Sequence, residues 1–219
     1  MEQNILTPTQ QKILLSAKRD HTITDQFYLT GGTALAHYYL NHRFSEDFDF
    51  FSRDEINEIS LQTWAQKTAR VTGATNLELQ TLRGQLVFYF HFTSEVVKID
   101  FAYFPFEHIG TFTVDELLKV SSIEDIGVNK LQALMSRKRG RDFVDLYTII
   151  HKKDIRLSDL IKDYRIKFDM YVSPEEWAKH FAGILDASDQ PRFLGEQNWK
   201  NIETYFLTQA KEFTSQIVK

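Results

Sequence analysis

Tyr28–Ser52, YLTGGTALAHYYLNHRFSEDFDFFS, is the stretch on which the reading of the whole chain turns. An apolar run from Phe27 to Thr30 reads as a short strand ending in Gly31-Gly32, and Thr33 to Leu40 reads as a short helix. Glycines there allow a backbone to approach a ligand closely. The amides opening the following helix are free to meet a phosphate, helped by the helix dipole. Then comes Asp47-Phe48-Asp49-Phe50. Side chains alternate faces along a strand, so Asp47 and Asp49 share one face and the two phenylalanines the other. Neighbouring carboxylates raise each other's cost of ionising, and a divalent cation held between them removes that cost. Taken alone, an Asp-x-Asp also suits calcium or a solvated face, and the glycine turn also suits a plain strand–helix connection. Together they point to a metal and a phosphate.

Arg43 stands just before the acidic pair; a solvated surface charge is the commoner fate of a lone arginine, and its position also allows it to orient an Asp or to reach a phosphate with its two-pronged guanidinium. Ser45 lies between them, and alternation turns Glu46 away to the surface. His37 and His42 have no partner at metal-ligand spacing and read as structural. Upstream, Thr7-Pro8-Thr9-Gln10 is a capping box opening a helix whose apolar stripe is Ile13, Leu14 and Ala17. Downstream, Asp54 to Val71 reads as an amphipathic helix burying Ile56, Ile59, Trp64 and Ala65. Asn76 to Leu82, Gln85 to Thr93 and Glu95 to Tyr103 read as a three-strand meander. In the last of these Val97, Ile99, Phe101 and Tyr103 share one face, and Lys98, Asp100 and Ala102 the other.

The second half of the chain reads as helical. In Ser122 to Ser136 followed by Arg141 to His151, Lys130, Ala133 and Arg137 line one helical face, beside an apolar stripe of Leu131, Leu134 and Met135. Gly140 is expected to break the first helix. Phe143, Leu146, Tyr147 and Ile150 have core spacing in the second, with Asp142 and Asp145 on a neighbouring face and suited to positioning Arg137, Arg141 or Lys130. Ser173-Pro174-Glu175-Glu176-Trp177 starts another helix, Asp186 to Arg192 is a polar loop, and Asn198 to Ile217 is a terminal amphipathic helix.

Gly31-Gly32 followed by Ser45-x-Asp47-x-Asp49 resembles the signature of the polymerase-β-like nucleotidyltransferase superfamily. Within it, GGTALA…R-x-SEDFDFF resembles the AbiEii/AbiGii toxin family, the toxin half of some bacterial toxin–antitoxin and phage-defence pairs. The later K-L-x-A-x-x-x-R and R-D-x-x-D-L, carried by Lys130, Leu131, Ala133 and Arg137 and by Arg141, Asp142, Asp145 and Leu146, resemble that family's remaining motifs. The resemblance implies an α+β fold: a nucleotidyltransferase core with a small mixed sheet and flanking helices over residues 1–120, and a helical region over 121–219 closing the cleft. It implies transfer of a nucleotide from a nucleoside triphosphate to an acceptor hydroxyl, the 3′ end of a tRNA by family likeness. Asp47, Asp49 and Asp100, the last at the place of the superfamily's third carboxylate, would hold two Mg²⁺ ions. Gly31, Gly32, Thr33, Arg43 and Ser45 would serve the nucleotide, with Lys130 and Arg137 neutralising its phosphates and Asp142 and Asp145 supporting them. A cognate antitoxin is the implied protein partner. A small-molecule acceptor, and a module that binds nucleotide or antitoxin without catalysis, remain open as alternatives.

Composition sets the outer bounds. The 219 residues can bury one sizeable core or two small ones. With no cysteine there is no disulfide framework, thiolate zinc site or cysteine nucleophile. A net charge of −4 argues against a surface coated in basic groups, though Arg137-Lys138-Arg139-Arg141 with Lys152-Lys153 could form a local strip for RNA phosphates. The N-terminal stretch lacks a signal peptide's apolar core, and no run approaches the roughly 20 apolar residues that span a bilayer. The expectation is a soluble, cytoplasmic protein.

Overall fold

The Phe/Asp alternation of the signature stretch is realised as a strand, β2 (Asp47–Ser52), in which Phe48, Phe50 and Ser52 are buried while Asp47 and Asp49 are half-buried. The computed structural model describes residues 5–187, 189, 191–194 and 198–217. They form two compact units. One runs to Tyr39 and resumes over Phe44–Ser122; the other consists of Leu40–Arg43 together with the chain from Ile123 onward.

The first unit opens with α1 (Pro8–Lys18), capped by the Thr7/Gln10 box, and α2 (His21–Thr24). After β1 (Tyr28–Thr30), a short helix α3 (Gly31–Ala34) continues as a π-helical segment, Leu35–Leu40. Beyond β2 lie α4 (Glu58–Thr72), β3 (Asn76–Leu82), β4 (Gln85–His91), β5 (Val96–Tyr103), β6 (Thr113–Asp115) and β7 (Leu118–Val120). The strands form one mixed sheet in the order β3-β4-β5-β2-β1-β7-β6. The expected meander is present, with β3, β4 and β5 antiparallel in turn. β2 lies parallel to β5 and antiparallel to β1, which lies parallel to β7.

One sheet face is aromatic and dry. Phe50 stacks on Phe101 with centroids 5.1 Å apart, and Phe27, Trp64 and Phe88 meet the Phe101 ring edge-on at 5.0, 5.5 and 6.0 Å. Trp64 belongs to α4, so this cluster fastens that helix to the sheet. Such rings contribute through buried area and through edge-to-face geometry together. The opposite face, carrying Asp47, Asp49, Lys98 and Asp100, follows from the same two-residue period.

The second unit is helical: α5 (Ile123–Ser136), α6 (Gly140–Lys153), α7 (Leu157–Phe168), α8 (Pro174–Ala182) with a 3-10 turn at Gly183–Asp186, and α9 (Trp199–Ile217). Residues 42 and 43 join it by pairing with the segment at 193 and 194: Leu194 N–H donates to the His42 carbonyl at 2.9 Å, and Arg43 bridges Phe193. The expected helix start at Ser173 is present, and the structure closes it with a capping box between Ser173 and Glu176. Part of the expected polar loop at 186–192 lies outside the described residues.

Several expectations are corrected. Ile59 is 78% exposed rather than buried, because the helix starts only at Glu58 and its buried stripe is Leu61, Trp64, Ala65, Thr68 and Ala69, from which Ile59 lies apart by helical spacing. Gly140 does not break α5, which ends at Ser136; it is the first residue of α6. A Cβ there would lie 2.2 Å from the Asp189 carbonyl oxygen, while its N–H donates to Asp189 Oδ1 at 2.7 Å. Ile149 rather than Ile150 is the deeply buried residue of that turn. The pair β6 and β7 carries no strand signal in the sequence, each being three residues long and defined by pairing alone.

The aromatic cluster yields a direct test. Phe101→Ala leaves a cavity under four rings and is expected to lower unfolding free energy by about 3–5 kcal/mol in urea titration. A loss below about 1 kcal/mol would show that the cluster does not hold the sheet to α4.

Candidate functional site

The parallel pairing of β2 with β5 sets Asp47 opposite Lys98 and Asp49 opposite Asp100. The three carboxylates named from the sequence are therefore brought onto adjacent strands and one face. Asp100 is buried, 5% exposed, and accepts hydrogen bonds from Gln85 Nε2 at 3.1 Å and from Lys98 Nζ at 2.5 Å. The same ammonium lies 4.0 Å from Asp47 Oδ2. Burial alone would lower the Lys98 pKa, but the hydrogen bond and charge of Asp100, with the charges of Asp47 and Asp49, hold it above the ordinary lysine value. Lys98 is thus charged at neutral pH, among acids.

This arrangement differs from a ready-made metal cage. Among the described residues no three His, Asp or Glu side chains are gathered closely enough to hold a metal ion as they stand. The donor set itself, carboxylate oxygens on two rigid strands, fits a hard divalent cation. One cation is already paired there: the Lys98 ammonium, seated on Asp100 and 4.0 Å from Asp47.

Gly31 explains why the turn before the acidic strand is glycine. Its φ is +72°, and a Cβ built there would stand 1.9 Å from Asp49 Oδ2. The backbone and the carboxylate lie so close that no side chain fits between them. The Thr33 hydroxyl donates a short hydrogen bond to the Asp47 carbonyl, so α3 is fixed to β2 at both acidic residues. At the strand's entry, Gln10 Nε2 donates to the Ser45 and Glu46 carbonyls at 3.3 and 3.0 Å. Ser45 is half-buried and Glu46 exposed.

The remaining site residues named from the sequence gather in the helical unit. Arg43 is buried, and its Nε and Nη2 donate to the two oxygens of Asp145 at 2.6 and 2.8 Å. Lys130 Nζ lies 2.8 Å from Asp142 and 2.7 Å from Asp145. Arg137 donates from Nε to Asp142 at 2.8 Å, with its side chain 44% exposed. Asp142 and Asp145 are completely buried on α6. Burial would raise the Asp145 pKa, but Arg43 and Lys130 hold it far below the usual carboxylate range; against burial, Lys130 and Arg137 also hold the Asp142 carboxyl below its ordinary value. Against its burial, Lys130 is held above the usual lysine value by the two aspartates.

His42, set aside as structural, belongs to this cluster, its Nε2 2.7 Å from Asp145 Oδ1. Burial lowers its pKa more strongly than Asp145 raises it, so the ring is neutral and Nε2 is the nitrogen that donates. Its Nδ1 is buried without a hydrogen-bond partner among the described residues. Lys98 and Gln85 are the residues that the sequence reading did not single out. The signal for Lys98 was present, since Lys98-x-Asp100 places it on the acidic face by alternation.

The chain matches the model of the family described as nucleotidyl transferase AbiEii toxin, type IV toxin–antitoxin system, over residues 13–213. A curated relative, the uncharacterized protein aq_aa25 of Aquifex aeolicus, is 28% identical over 209 residues, 87% of this chain and 89% of that protein. Among solved structures, JHP933 from Helicobacter pylori superposes with a TM-score of 0.57 at 18% identity, covering 94% of this chain and 90% of its own. A protein of the same organism, provisionally described as a nucleotidyltransferase, gives 0.56 at 19% identity, covering 94% and 93%. Among the described residues no helix is long and apolar enough to cross a membrane.

Two outcomes are expected from this geometry. The depressed carboxyls Asp142 and Asp145 contribute stability that is present above the unfolded-state carboxylate pKa, about 4, and lost as pH falls below it. Asp145→Asn should lose about 3–5 kcal/mol at pH 7, because Arg43 and Lys130 lose their shared partner, and should flatten the fall in stability between about pH 5 and pH 2. An unchanged slope would remove Asp145 from the acid transition. Gly31→Ala should leave the helical unit intact, as read by circular dichroism, yet reduce nucleotidyl transfer by at least about a hundredfold through displacement of Asp49. Retained activity would mean that the Asp49 position is not critical.

Proposed function

Since the chain belongs to the AbiEii nucleotidyl transferase toxin family and is a nucleotidyltransferase, we propose that it moves a nucleotide from a nucleoside triphosphate to the 3′-terminal hydroxyl of a tRNA, dependent on Mg²⁺. The observation that carries the metal-dependent chemistry is the in-register pairing that lays Asp47, Asp49 and Asp100 side by side on one sheet face. In this reading Asp47 and Asp49 hold the ions together with Asp100. Bound there, Mg²⁺ supplies Lewis acidity towards the α-phosphate and neutralises charge on the leaving pyrophosphate.

The chain's own groups do the rest. Gly31, Gly32 and Thr33 offer backbone amides to the triphosphate without side chains in the way. Asp100, held in orientation by Gln85, receives the proton of the acceptor hydroxyl as its oxygen bonds to the α-phosphorus and the bond to pyrophosphate breaks. Arg43, Asp142 and Asp145 serve by holding Lys130 and Arg137 in place. Of those two cations, Arg137 has the exposure to meet a phosphate.

The tRNA assignment draws on the family resemblance and on the helical unit's exposed basic groups Arg137, Arg139, Lys152 and Lys153, which suit a phosphate backbone. Lys138 is engaged with Asp186 and is available only in part. The type IV toxin–antitoxin family supports a cognate antitoxin as protein partner.

The test is incubation of the purified protein with bulk tRNA, Mg²⁺ and each α-labelled nucleoside triphosphate in turn, beside Asp49→Ala. Label entering RNA, reduced by at least about a thousandfold in the variant and falling as salt rises, is the expected result. Label entering a small-molecule acceptor, with tRNA inert, would overturn the tRNA assignment while leaving the transfer chemistry in place.

A further inference from the structure

The acidic face raises a problem that its own lysine answers. Asp49 stands directly opposite Asp100 across the parallel pair, and like charges so placed on neighbouring strands repel. Asp47 adds a third negative charge on the same face. Lys98, register partner of Asp47 and two residues from Asp100, inserts its ammonium at 2.5 Å from Asp100 and 4.0 Å from Asp47. Asp100 and Asp47 are two of the three carboxylates assigned above to the metal. A divalent ion ligated by these carboxylates would stand close to the ammonium and repel it. The lysine side chain is 30% exposed and joined to its strand by four flexible methylenes, so it has somewhere to go.

Resting on the nucleotidyltransferase reading above, we propose that Lys98 is a built-in counter-ion exchanged for the divalent cation: its ammonium neutralises Asp47, Asp49 and Asp100 in the metal-free protein and is expelled when the ion binds. Lys98 is therefore a positioning residue. It keeps the two strands in register against carboxylate repulsion, and it sets the metal affinity low enough that occupancy depends on the concentration of the ion.

The experiment measures Mn²⁺ binding to the full chain by calorimetry and electron paramagnetic resonance, together with thermal unfolding with and without Mn²⁺. Wild type is compared with Lys98→Met, Lys98→Arg and Asp49→Asn; Lys98→Gln, which can still donate to Asp100, replaces the Met variant if that one does not fold. Removing the charge is expected to tighten Mn²⁺ binding at least about tenfold, or about 1.4 kcal/mol, and to lower the unfolding temperature of the metal-free protein. Saturating Mn²⁺ should restore that temperature to the wild-type value or above, and Lys98→Arg should bind as wild type does. A purely structural lysine would lower the unfolding temperature equally with and without Mn²⁺, and the proposal would then be wrong. If binding is abolished by Asp49→Asn but is no tighter in the charge-removed variant, the exchange alone falls. If neither wild type nor that variant binds Mn²⁺ in an Asp49-dependent way, the metal reading of the acidic face falls with it.

Discussion

The register between β2 and β5 is the constraint from which the site follows. A slip of one residue would turn Asp47 and Asp49 into the aromatic layer and bring Phe48 and Phe50 out beside Asp100. The stacking of Phe50 on Phe101 prevents it, since these rings sit one residue beyond Asp49 and Asp100 on their strands and on the opposite face. Hydrophobic burial on one side of the sheet thereby positions charge on the other. Gly31 and Thr33 complete the arrangement by pressing α3 against the same two aspartates.

The two units each hold a lysine between aspartates, with opposite consequences. Lys130 lies sealed between Asp142 and Asp145, with Arg43, Arg137 and His42 sharing the same carboxylates. Every charge there has a fixed partner, which is the condition under which buried ions can be tolerated at all. Removing one partner strands the others, so the cluster behaves as one cooperative block. Lys98 has fewer partners, more exposure and a short reach to solvent. The same ion-pair chemistry is permanent where it is fully buried and exchangeable where it is not.

Much of this was legible in the sequence because it depends on period and local chemistry. The Phe/Asp alternation gave β2, the Thr7 capping box and the Ser173-Pro174 start gave two helices, and the glycine pair marked a backbone approach whose partner proved to be Asp49. The family resemblance led to Lys130, Arg137, Asp142 and Asp145, but helical spacing alone did not show that both aspartates are completely buried. That depends on Leu40–Arg43 joining the helical unit and delivering His42 and Arg43 to Asp145, an encounter across about a hundred residues that no local pattern encodes. The strands β6 and β7 were hidden because each is three residues long, too short to show a period. Lys98 was visible on the acidic face, yet its role emerged only once register placed it opposite Asp47.

The most direct test of the account is a crystal structure of the protein soaked with Mn²⁺, with the ion located by its anomalous scattering. The account predicts an anomalous peak at the carboxylates of Asp47, Asp49 and Asp100, with the Lys98 ammonium withdrawn from Asp100. A peak bound elsewhere, or no peak with Lys98 still seated on Asp100 at saturating Mn²⁺, would contradict it.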